Sequence, residues 1–248
     1  MKSYNEQLTA LRASGNLRHL PEVEHQGIWI LKEGKRMLNL SSNDYLGLAS
    51  RQDLQEEFQA STQDRFYPYS SSSSRLLTGN FSVYTKLEKQ IARSFDREAA
   101  LIFNSGYHAN TGILPALTDK QTLLLADKLV HASIIDGILL SGSPFLRYHH
   151  NDYDQLERLV QKNACQYETI IILTESIFSM DGDVADLNRL IAIKRQYPNI
   201  LLYVDEAHAI GARGKTGLGI AEEQSCIQEI DLLVGTFGKA LASMGAYL

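Results

Sequence analysis

Short apolar runs that alternate with helical stretches constrain the fold of this chain more than any other feature. Each run is rich in Ile, Leu and Val and is bounded by polar residues or glycine, as buried strands are. The runs occupy residues 99–103, 122–126, 169–174, 200–204 and 231–234. Apolar residues recur at helical spacing in residues 80–95, after a predicted cap at Asn151, and after Asp186. The pattern predicts an α/β fold, with a mostly parallel sheet flanked by helices.

The first forty residues do not follow this alternation. Leu8, Leu11 and a turn near Gly15 predict a helical arm, and residues 27–40 predict a small hairpin about Glu33 and Gly34. We therefore expect an arm and hairpin over residues 1–40 and a large domain over residues 41–248. Residues 245–248 resemble the start of another strand, so we also expect the large domain to be truncated at its C-terminal end.

Composition excludes several classes of function. Hydrophobic residues make up 44% of the 248 residues, as in ordinary globular proteins, and the net charge of -5 argues against nucleic-acid binding. The two cysteines form no C-x-x-C pair, which favours a reducing cytoplasm and argues against a zinc site. The polar N-terminus lacks the pattern of a secretory signal, and no apolar run is long enough to span a bilayer. We expect a cytoplasmic protein without metal or membrane partners.

Polar residues follow every apolar run. Asn104, Ser105, Gly106 and Tyr107 follow the first run, Asp127 and His131 the second, Glu175 and Ser179 the third, Asp205 and His208 the fourth, and Thr236 and Lys239 the fifth. Taken singly, such residues are usually helix caps, turn formers or solvated surface groups. The carboxyl ends of parallel strands meet at one edge of a sheet, where ligands bind. Five successive cases, with carboxylates, imidazoles and a lysine, therefore predict one site.

This set of side chains suits pyridoxal phosphate. The cofactor needs an amine that forms an imine, an acid that keeps its ring nitrogen protonated, and donors for its phosphate. Lys239 is the predicted amine, and Asp205 is the predicted partner of the ring nitrogen. His131 is expected to stack on the ring, and His208 to donate a hydrogen bond to the phenolic oxygen.

The phosphate is expected at the start of a helix. Gly106 and Tyr107 would open that helix, so that their backbone N–H groups and the helix dipole face the phosphate. Thr236 is expected to add a hydroxyl donor.

A second pattern resembles a nucleotide-driven motor. Residues 205–208 (DEAH) look like an acidic box, and residues 214–216 (GKT) like the end of a phosphate loop. The phosphate-loop motif, however, requires glycine where this chain has Ala209. We therefore reject this interpretation.

Six motifs together resemble the α-oxoamine synthases, a family of fold-type I pyridoxal-phosphate enzymes. They are residues 41–48 (SSNDYLGL), 74–79 (SRLLTG), 131–133 (HAS), 179–182 (SMDG), 205–208 (DEAH) and 236–239 (TFGK). The first two are most similar to the 8-amino-7-oxononanoate synthase branch, whereas residues 131–137 and 238–241 are closer to 2-amino-3-ketobutyrate CoA ligase. The resemblance implies an aspartate aminotransferase-like fold, the pyridoxal-phosphate-dependent transferase fold, without its C-terminal small domain.

The resemblance also implies a reaction and partners. The reaction would be a decarboxylative condensation of an amino acid with an acyl-CoA or acyl-carrier protein, in a homodimer. In the biotin pathway the substrates would be L-alanine and a pimeloyl thioester. Lys239, His131, Asp205 and Glu175 would be catalytic, with Ser179 near the cofactor. The positions that would contact substrate are Asn43, Ser74 and Arg75. The alternatives are another member of the family, including a serine palmitoyltransferase-like one, or a non-catalytic fragment.

Overall fold

The computed structural model describes residues 3–62 and 70–248 in two compact units. The first unit is Met1–Ser42 and the second is Asn43–Leu248. The predicted boundary at residue 40 lies two residues from this division. No helix among the described residues combines the length and the apolar character needed to cross a membrane.

The first unit contains the predicted helix and hairpin. Helix α1 (Tyr4–Ala13) begins with a capping box, in which the Ser3 and Glu6 side chains each accept a hydrogen bond from the other's backbone N–H. Strands β1 (Glu24–Gln26), β2 (Trp29–Lys32) and β3 (Lys35–Leu38) form an antiparallel sheet. Both residues of the β2–β3 turn, Glu33 and Gly34, have positive φ, as this kind of tight hairpin requires. The prediction of the hairpin is confirmed, and β1 was not predicted.

The second unit alternates strands and helices from residue 82 onward. After α2 (Gln52–Thr62), its elements are α3 (Ser82–Ser94), β4 (Ile102–Phe103), α4 (Gly106–Leu117), β5 (Thr122–Asp127), α5 (Ala132–Ser141), β6 (Phe145–Tyr148), α6 (Tyr153–Asn163), β7 (Thr169–Glu175), α7 (Leu187–Lys194), β8 (Ile200–Asp205), α8 (Ile220–Glu223), β9 (Leu232–Thr236) and β10 (Ala246–Tyr247). All five predicted strands are present, although the first is confined to Ile102 and Phe103. The α/β fold class is confirmed.

The strands of this unit form one sheet, in the order β4-β10-β9-β8-β7-β5-β6 among the described residues. Strand β10 runs antiparallel to both β4 and β9, and the strands from β9 to β6 are parallel. The side chains of residues 170–173 in β7 are fully buried, as is typical of parallel strands in a sheet that is covered on both faces. Chain order reverses between β5 and β7, and the carboxyl ends of the strands at such a point form a binding crevice.

Two local features differ from the sequence prediction. The cap of α6 is Asp152, whose side chain accepts from the Gln155 backbone N–H, and not Asn151, which has a φ of 52°. The reason is that a residue with left-handed backbone cannot occupy the extended conformation of a cap. Strand β6 was missed because Phe145, Leu146 and Arg147 are exposed at the edge of the sheet, so that no buried apolar run marks it.

A close contact between α4 and α5 leads to our first prediction. A Cβ atom on Gly137 would lie 2.4 Å from the Asn110 backbone oxygen, whereas one on Gly112 would meet nothing nearer than 3.7 Å. We expect Gly137→Ala to lower the free energy of unfolding by about 1–3 kcal/mol, because the helices must move apart. The matched change Gly112→Ala should raise it by about 0.5–1 kcal/mol through helix propensity. Urea denaturation measures both; equal effects would contradict the contact.

Candidate active site

The carboxyl ends of four neighbouring parallel strands bring buried polar side chains to one edge of the sheet. The last residues of β5, β7, β8 and β9 are Asp127, Glu175, Asp205 and Thr236, and all four are buried. In the register of the sheet, Glu175 is paired with Asp205. The chain reversal between β5 and β7 lies within this group, which is where the fold forms a crevice.

The Asp205 carboxylate is held on both oxygens. Its Oδ1 accepts a hydrogen bond from the Ala207 backbone N–H (2.9 Å), and its Oδ2 accepts one from Asn110 Nδ2 (3.0 Å). The Asn110 Oδ1 in turn accepts from the Tyr203 hydroxyl at 2.5 Å. Each carboxylate oxygen has a second lone pair, so Asp205 can accept a further proton donor such as a pyridinium nitrogen.

The Lys239 amine lies in the electrostatic field of the same carboxylates. Lys239 is half-buried in the turn that follows β9. Burial lowers the pKa of its ammonium, and the charges of Asp205 and Glu175 oppose this shift. A desolvated amine with a lowered pKa is the form that attacks a carbonyl carbon. The structure therefore brings Lys239 and Asp205 into one group of interacting charges.

Glu175 is a buried carboxyl group whose pKa lies above the ordinary value for glutamate. Burial and the charge of Asp205 raise its pKa to about 8, while the His131 N–H bond (2.5 Å) and the Lys239 charge oppose the shift. In the unfolded chain this carboxyl group has its ordinary pKa of 4.5. The native state thus binds more protons between these two values, so its stability falls as the pH rises from 4.5 to about 8.

This linkage gives our second prediction. The quantity compared is the free energy of unfolding of Glu175→Gln minus that of the unmutated protein. We expect this difference to increase by more than about 1 kcal/mol as the pH rises from about 6 to about 9. The matched control is Glu168→Gln, because Glu168 is exposed and lies directly before β7. Its free energy of unfolding, relative to the unmutated protein, should not change between these two pH values. Denaturant unfolding of the cofactor-free protein at both pH values measures the effect. A pH-independent difference for Glu175→Gln would contradict the assignment of a raised pKa.

The two predicted histidines occupy different surroundings. His131 is the exposed N-cap of α5, and its Nδ1 lies 2.8 Å from Ser133 Oγ. His208 is half-buried, and burial together with the charge of Lys239 lowers its pKa to about 4. The Tyr45 hydroxyl lies 2.7 Å from His208 Nδ1 and also contacts Asn43 Oδ1 at 3.2 Å. His208 is therefore a neutral imidazole at physiological pH.

The predicted phosphate site is the N-terminus of α4. The helix begins at Gly106, as predicted, and Ser105 caps it by accepting the His108 N–H. First-turn N–H groups have no partner within a helix and attract anions. A Cβ on Gly106 would meet no atom within 4 Å, so there is open space at this point. The Tyr107 side chain is directed to α5, where its hydroxyl donates to Asp136 Oδ2 (2.9 Å).

Thr236 shapes the lysine turn. Its hydroxyl donates to the Gly245 carbonyl oxygen (3.0 Å) and accepts the Gly238 N–H (3.1 Å). The hydroxyl proton is therefore already used inside the protein. In the structure, Thr236 fixes the conformation of the backbone that carries Lys239.

Three predicted residues are not joined to this group. Ser179 and Ser74 are exposed. Arg75 forms an ion pair with Glu88 (2.8 Å) and donates to Asn80 Oδ1 (2.9 Å). Among the described residues, no hydrogen bond or ion pair links any of the three predicted residues to Asp205 or Lys239. In this structure Arg75 fastens the segment around residues 74–80 to α3.

The sequence did not identify four of the residues that hold the site. These are Asn110, Ser133, Tyr203 and Tyr45. One signal was available: Asn110 is a polar residue at helical spacing from the buried Ile113 and Leu114, so it interrupts the apolar face of α4. A buried amide needs hydrogen-bond partners, which marks it as a residue with a specific role.

Comparison with known proteins places the chain in a family. Residues 35–248 match the family described as aminotransferase class I and II. A Haemophilus influenzae (strain 86-028NP) protein with the provisional name 8-amino-7-oxononanoate synthase is 60% identical over 248 residues, which is all of this chain and 65% of the relative. The chain thus spans about two thirds of the length of this curated relative.

Solved structures show the same fold. A serine palmitoyltransferase variant from S. paucimobilis with a bound PLP–myriocin aldimine matches with a TM-score of 0.86 and 26% identity, covering 98% of this chain and 61% of that one. An 8-amino-7-oxononanoate synthase from Francisella tularensis matches with a TM-score of 0.68 and 31% identity, covering 84% and 56%. The pyridoxal-phosphate-dependent transferase fold and the resemblance to α-oxoamine synthases are thereby confirmed. This chain belongs to the aminotransferase class I and II family.

Proposed function

We propose that this chain forms the pyridoxal-phosphate site of an α-oxoamine synthase. The observation that carries the proposal is the placement of the half-buried Lys239 amine in the field of Asp205 and Glu175, at the carboxyl edge of the sheet. Asp205 would hold the ring nitrogen, Lys239 the aldehyde carbon, and the N-terminus of α4 the phosphate. The donors present thus match the chemical groups of this cofactor. His131 would lie against the ring, and Ser179 beside it.

Asp205, Lys239 and His208 would have different roles because they differ in charge. When bound, pyridoxal phosphate supplies an electron sink for the bond that breaks at the amino acid's α-carbon. The Asp205 anion, fixed by Asn110 and Ala207, keeps a proton on the ring nitrogen. The Lys239 amine, with its pKa lowered by burial, accepts and returns the α-proton. The neutral His208 would donate a hydrogen bond to the phenolic oxygen of the cofactor and would add no second positive charge to the site.

The reaction that we propose joins an amino acid to an acyl thioester. The amino acid's α-carbon bonds to the acyl carbon, and the thiol and carbon dioxide leave. The resemblance of residues 41–48 and 74–79, together with the name of the 60% identical relative, supports L-alanine and a pimeloyl-CoA or pimeloyl-carrier protein as substrates. The product would be 8-amino-7-oxononanoate, in biotin biosynthesis. Asn43, Ser74 and Arg75 would contact the substrates.

The serine palmitoyltransferase match supports the alternative that another member of this enzyme class is closer in activity. A 2-amino-3-ketobutyrate CoA ligase activity is a further alternative within the class. Because the chain spans only 65% of its curated relative, a non-catalytic part of such an enzyme is another. We also propose that the protein is cytoplasmic and that it forms a homodimer. Sedimentation analysis would test the oligomeric state.

A substrate matrix tests the proposed function. The protein is loaded with pyridoxal phosphate and mixed with every pair of one amino acid (L-alanine, glycine or L-serine) and one acyl thioester (acetyl-, pimeloyl- or palmitoyl-CoA). Thiol release and carbon dioxide release are measured for each pair. Our proposal expects equal amounts of both products with alanine and pimeloyl-CoA. Activity with glycine and acetyl-CoA, or with serine and palmitoyl-CoA, would favour the other members. A protein that binds the cofactor but turns over no pair would support the non-catalytic alternative.

A further inference from the structure

A buried line of hydrogen bonds connects the carboxylate at the end of β8 with the histidine at the start of α5. Asn110 Nδ2 donates both to Asp205 Oδ2 (3.0 Å) and to Ser133 Oγ (2.9 Å). Ser133 Oγ lies 2.8 Å from His131 Nδ1. At the other end, the Tyr203 hydroxyl donates to Asn110 Oδ1. Asn110, Ser133 and Tyr203 are each at most 1% exposed, so water does not supply substitutes for these bonds.

The direction of each bond follows from what its partners can donate. An ionised carboxylate accepts only, so the Asp205 side of the Asn110 amide must be its NH₂ group. The second Nδ2 proton then points to Ser133 Oγ. Ser133 Oγ accepts this proton with one of its two lone pairs, and its own hydroxyl proton is available for its other neighbour, His131 Nδ1. The amide of Asn110 thus holds the Ser133 hydroxyl in place, and the direction of the bond to His131 depends on whether Nδ1 donates or accepts.

A second donor converges on the same ring nitrogen. The Ser133 backbone N–H lies 3.2 Å from His131 Nδ1 and can only donate. Two donors, the hydroxyl and the amide of Ser133, therefore face Nδ1. A ring nitrogen that accepts hydrogen bonds carries no proton, so the proton of neutral His131 is on Nε2. The exposed ring then presents Nε2–H as a donor to whatever occupies the site.

We propose that Asn110 and Ser133 are positioning residues that tie the Asp205 carboxylate to the His131 ring and hold His131 as the Nε2–H tautomer. Asn110 orients the acid that the proposed function places at the cofactor ring nitrogen. Through Ser133, the same amide orients the imidazole that the proposed function places on the ring face. One buried side chain thereby fixes both the charge and the donor that meet the cofactor. The chemical meaning of this inference rests on the proposed function, whereas the bonds themselves do not.

The first test reads the tautomer of His131 in the cofactor-free protein. Long-range ¹H–¹⁵N NMR spectra of histidine-labelled protein distinguish a protonated from an unprotonated ring nitrogen, and His131→Gln identifies the signal. We expect the unmutated protein to carry the His131 proton on Nε2. A His131 proton mainly on Nδ1 would overturn the proposal, and His131→Gln, at the exposed end of the network, is the only variant that this measurement requires.

Ser133→Ala then removes one of the two donors. We expect the ratio of Nε2–H to Nδ1–H tautomers to fall by about 2- to 10-fold, the effect of one hydrogen bond of ordinary strength. Ser141→Ala makes the same change at the other end of α5, where the serine hydroxyl donates to the Ile138 carbonyl oxygen, and should leave the ratio unchanged. An unchanged ratio in Ser133→Ala, or equal changes in both variants, would overturn the role of Ser133.

The second test follows the two Nδ2 protons of Asn110. In ¹H–¹⁵N spectra these protons give separate signals, and each has a different acceptor in the structure. We expect Ser133→Ala to shift one of them and Asp205→Ala to shift the other. If both variants move the same proton, or neither moves one, Asn110 does not join the two groups. Because no cofactor is present, the substrate matrix can fail while these results hold, and the reverse is also possible.

Discussion

We expect Lys239→Ala to leave a folded protein that binds pyridoxal phosphate without a covalent link. The half-buried Lys239 amine interacts with the charges of Asp205 and Glu175, and burial lowers its pKa. Turnover should fall by about 10²–10⁴-fold or more, because the variant loses both the attachment point and the base. Absorbance of the loaded protein, and mass spectrometry after borohydride reduction, measure the attachment.

Lys215→Ala is the matched control for this experiment. Lys215 is exposed in the loop before α8, so its removal should change neither the attachment nor the rate. A borohydride-stable adduct that persists in Lys239→Ala would show that another amine carries the cofactor. Circular dichroism of the variant separates loss of attachment from loss of fold.

Asp205→Asn keeps the shape of the side chain and removes its charge. We expect the loaded variant to retain cofactor, because the lysine and the helix N-terminus are unchanged. We expect turnover to fall by about 10²–10³-fold, because an amide cannot hold a proton on the ring nitrogen as a carboxylate does. Steady-state rates of thiol release with the preferred substrate pair from the matrix measure the loss.

Two further measurements make the Asp205 prediction specific. Asp154→Asn removes an exposed carboxylate on α6 that pairs with Arg189, and it should leave the rate unchanged. Removal of the Asp205 charge should also change the titration of His208, because that charge raises the His208 pKa. We therefore expect a still lower NMR titration midpoint for His208 in Asp205→Asn. Full turnover in this variant would refute the ring-nitrogen assignment.

Much of the fold could be predicted, because local sequence patterns mark its buried strands. The buried strands β5, β7 and β8 are continuous apolar runs, and the residues that follow them reach one edge because parallel strands share a direction. Strand β6 could not be predicted in this way, because its exposed side chains give no buried pattern. The cap of α6 was displaced by one residue because Asn151 and Asp152 are both cap formers and only backbone conformation distinguishes them.

The candidate site was predictable in its charged residues but not in what holds them. Asp205 and Lys239 were predicted from their positions after strands. The partner of Asp205, Asn110, lies in a helix far away in the chain, and no spacing rule connects the two. Thr236 was predicted as a phosphate donor because a hydroxyl after a strand suits that role. In the structure its hydroxyl donates a hydrogen bond to the Gly245 carbonyl oxygen, and this contact depends on the turn that leads to β10.

The position of β10 has a consequence for the order in which the protein acquires its shape. This strand separates β4 from β9, although most of the second unit lies between β4 and β10 in the sequence. A ribosome must therefore synthesise residues 246–247 before the sheet can close on that side, and contacts this distant in sequence form slowly. A nascent chain that has not yet reached these residues leaves two strand edges unpaired and the lysine loop unclosed. We therefore expect the backbone around Lys239 to reach its final conformation only after Gly245 and β10 have been synthesised.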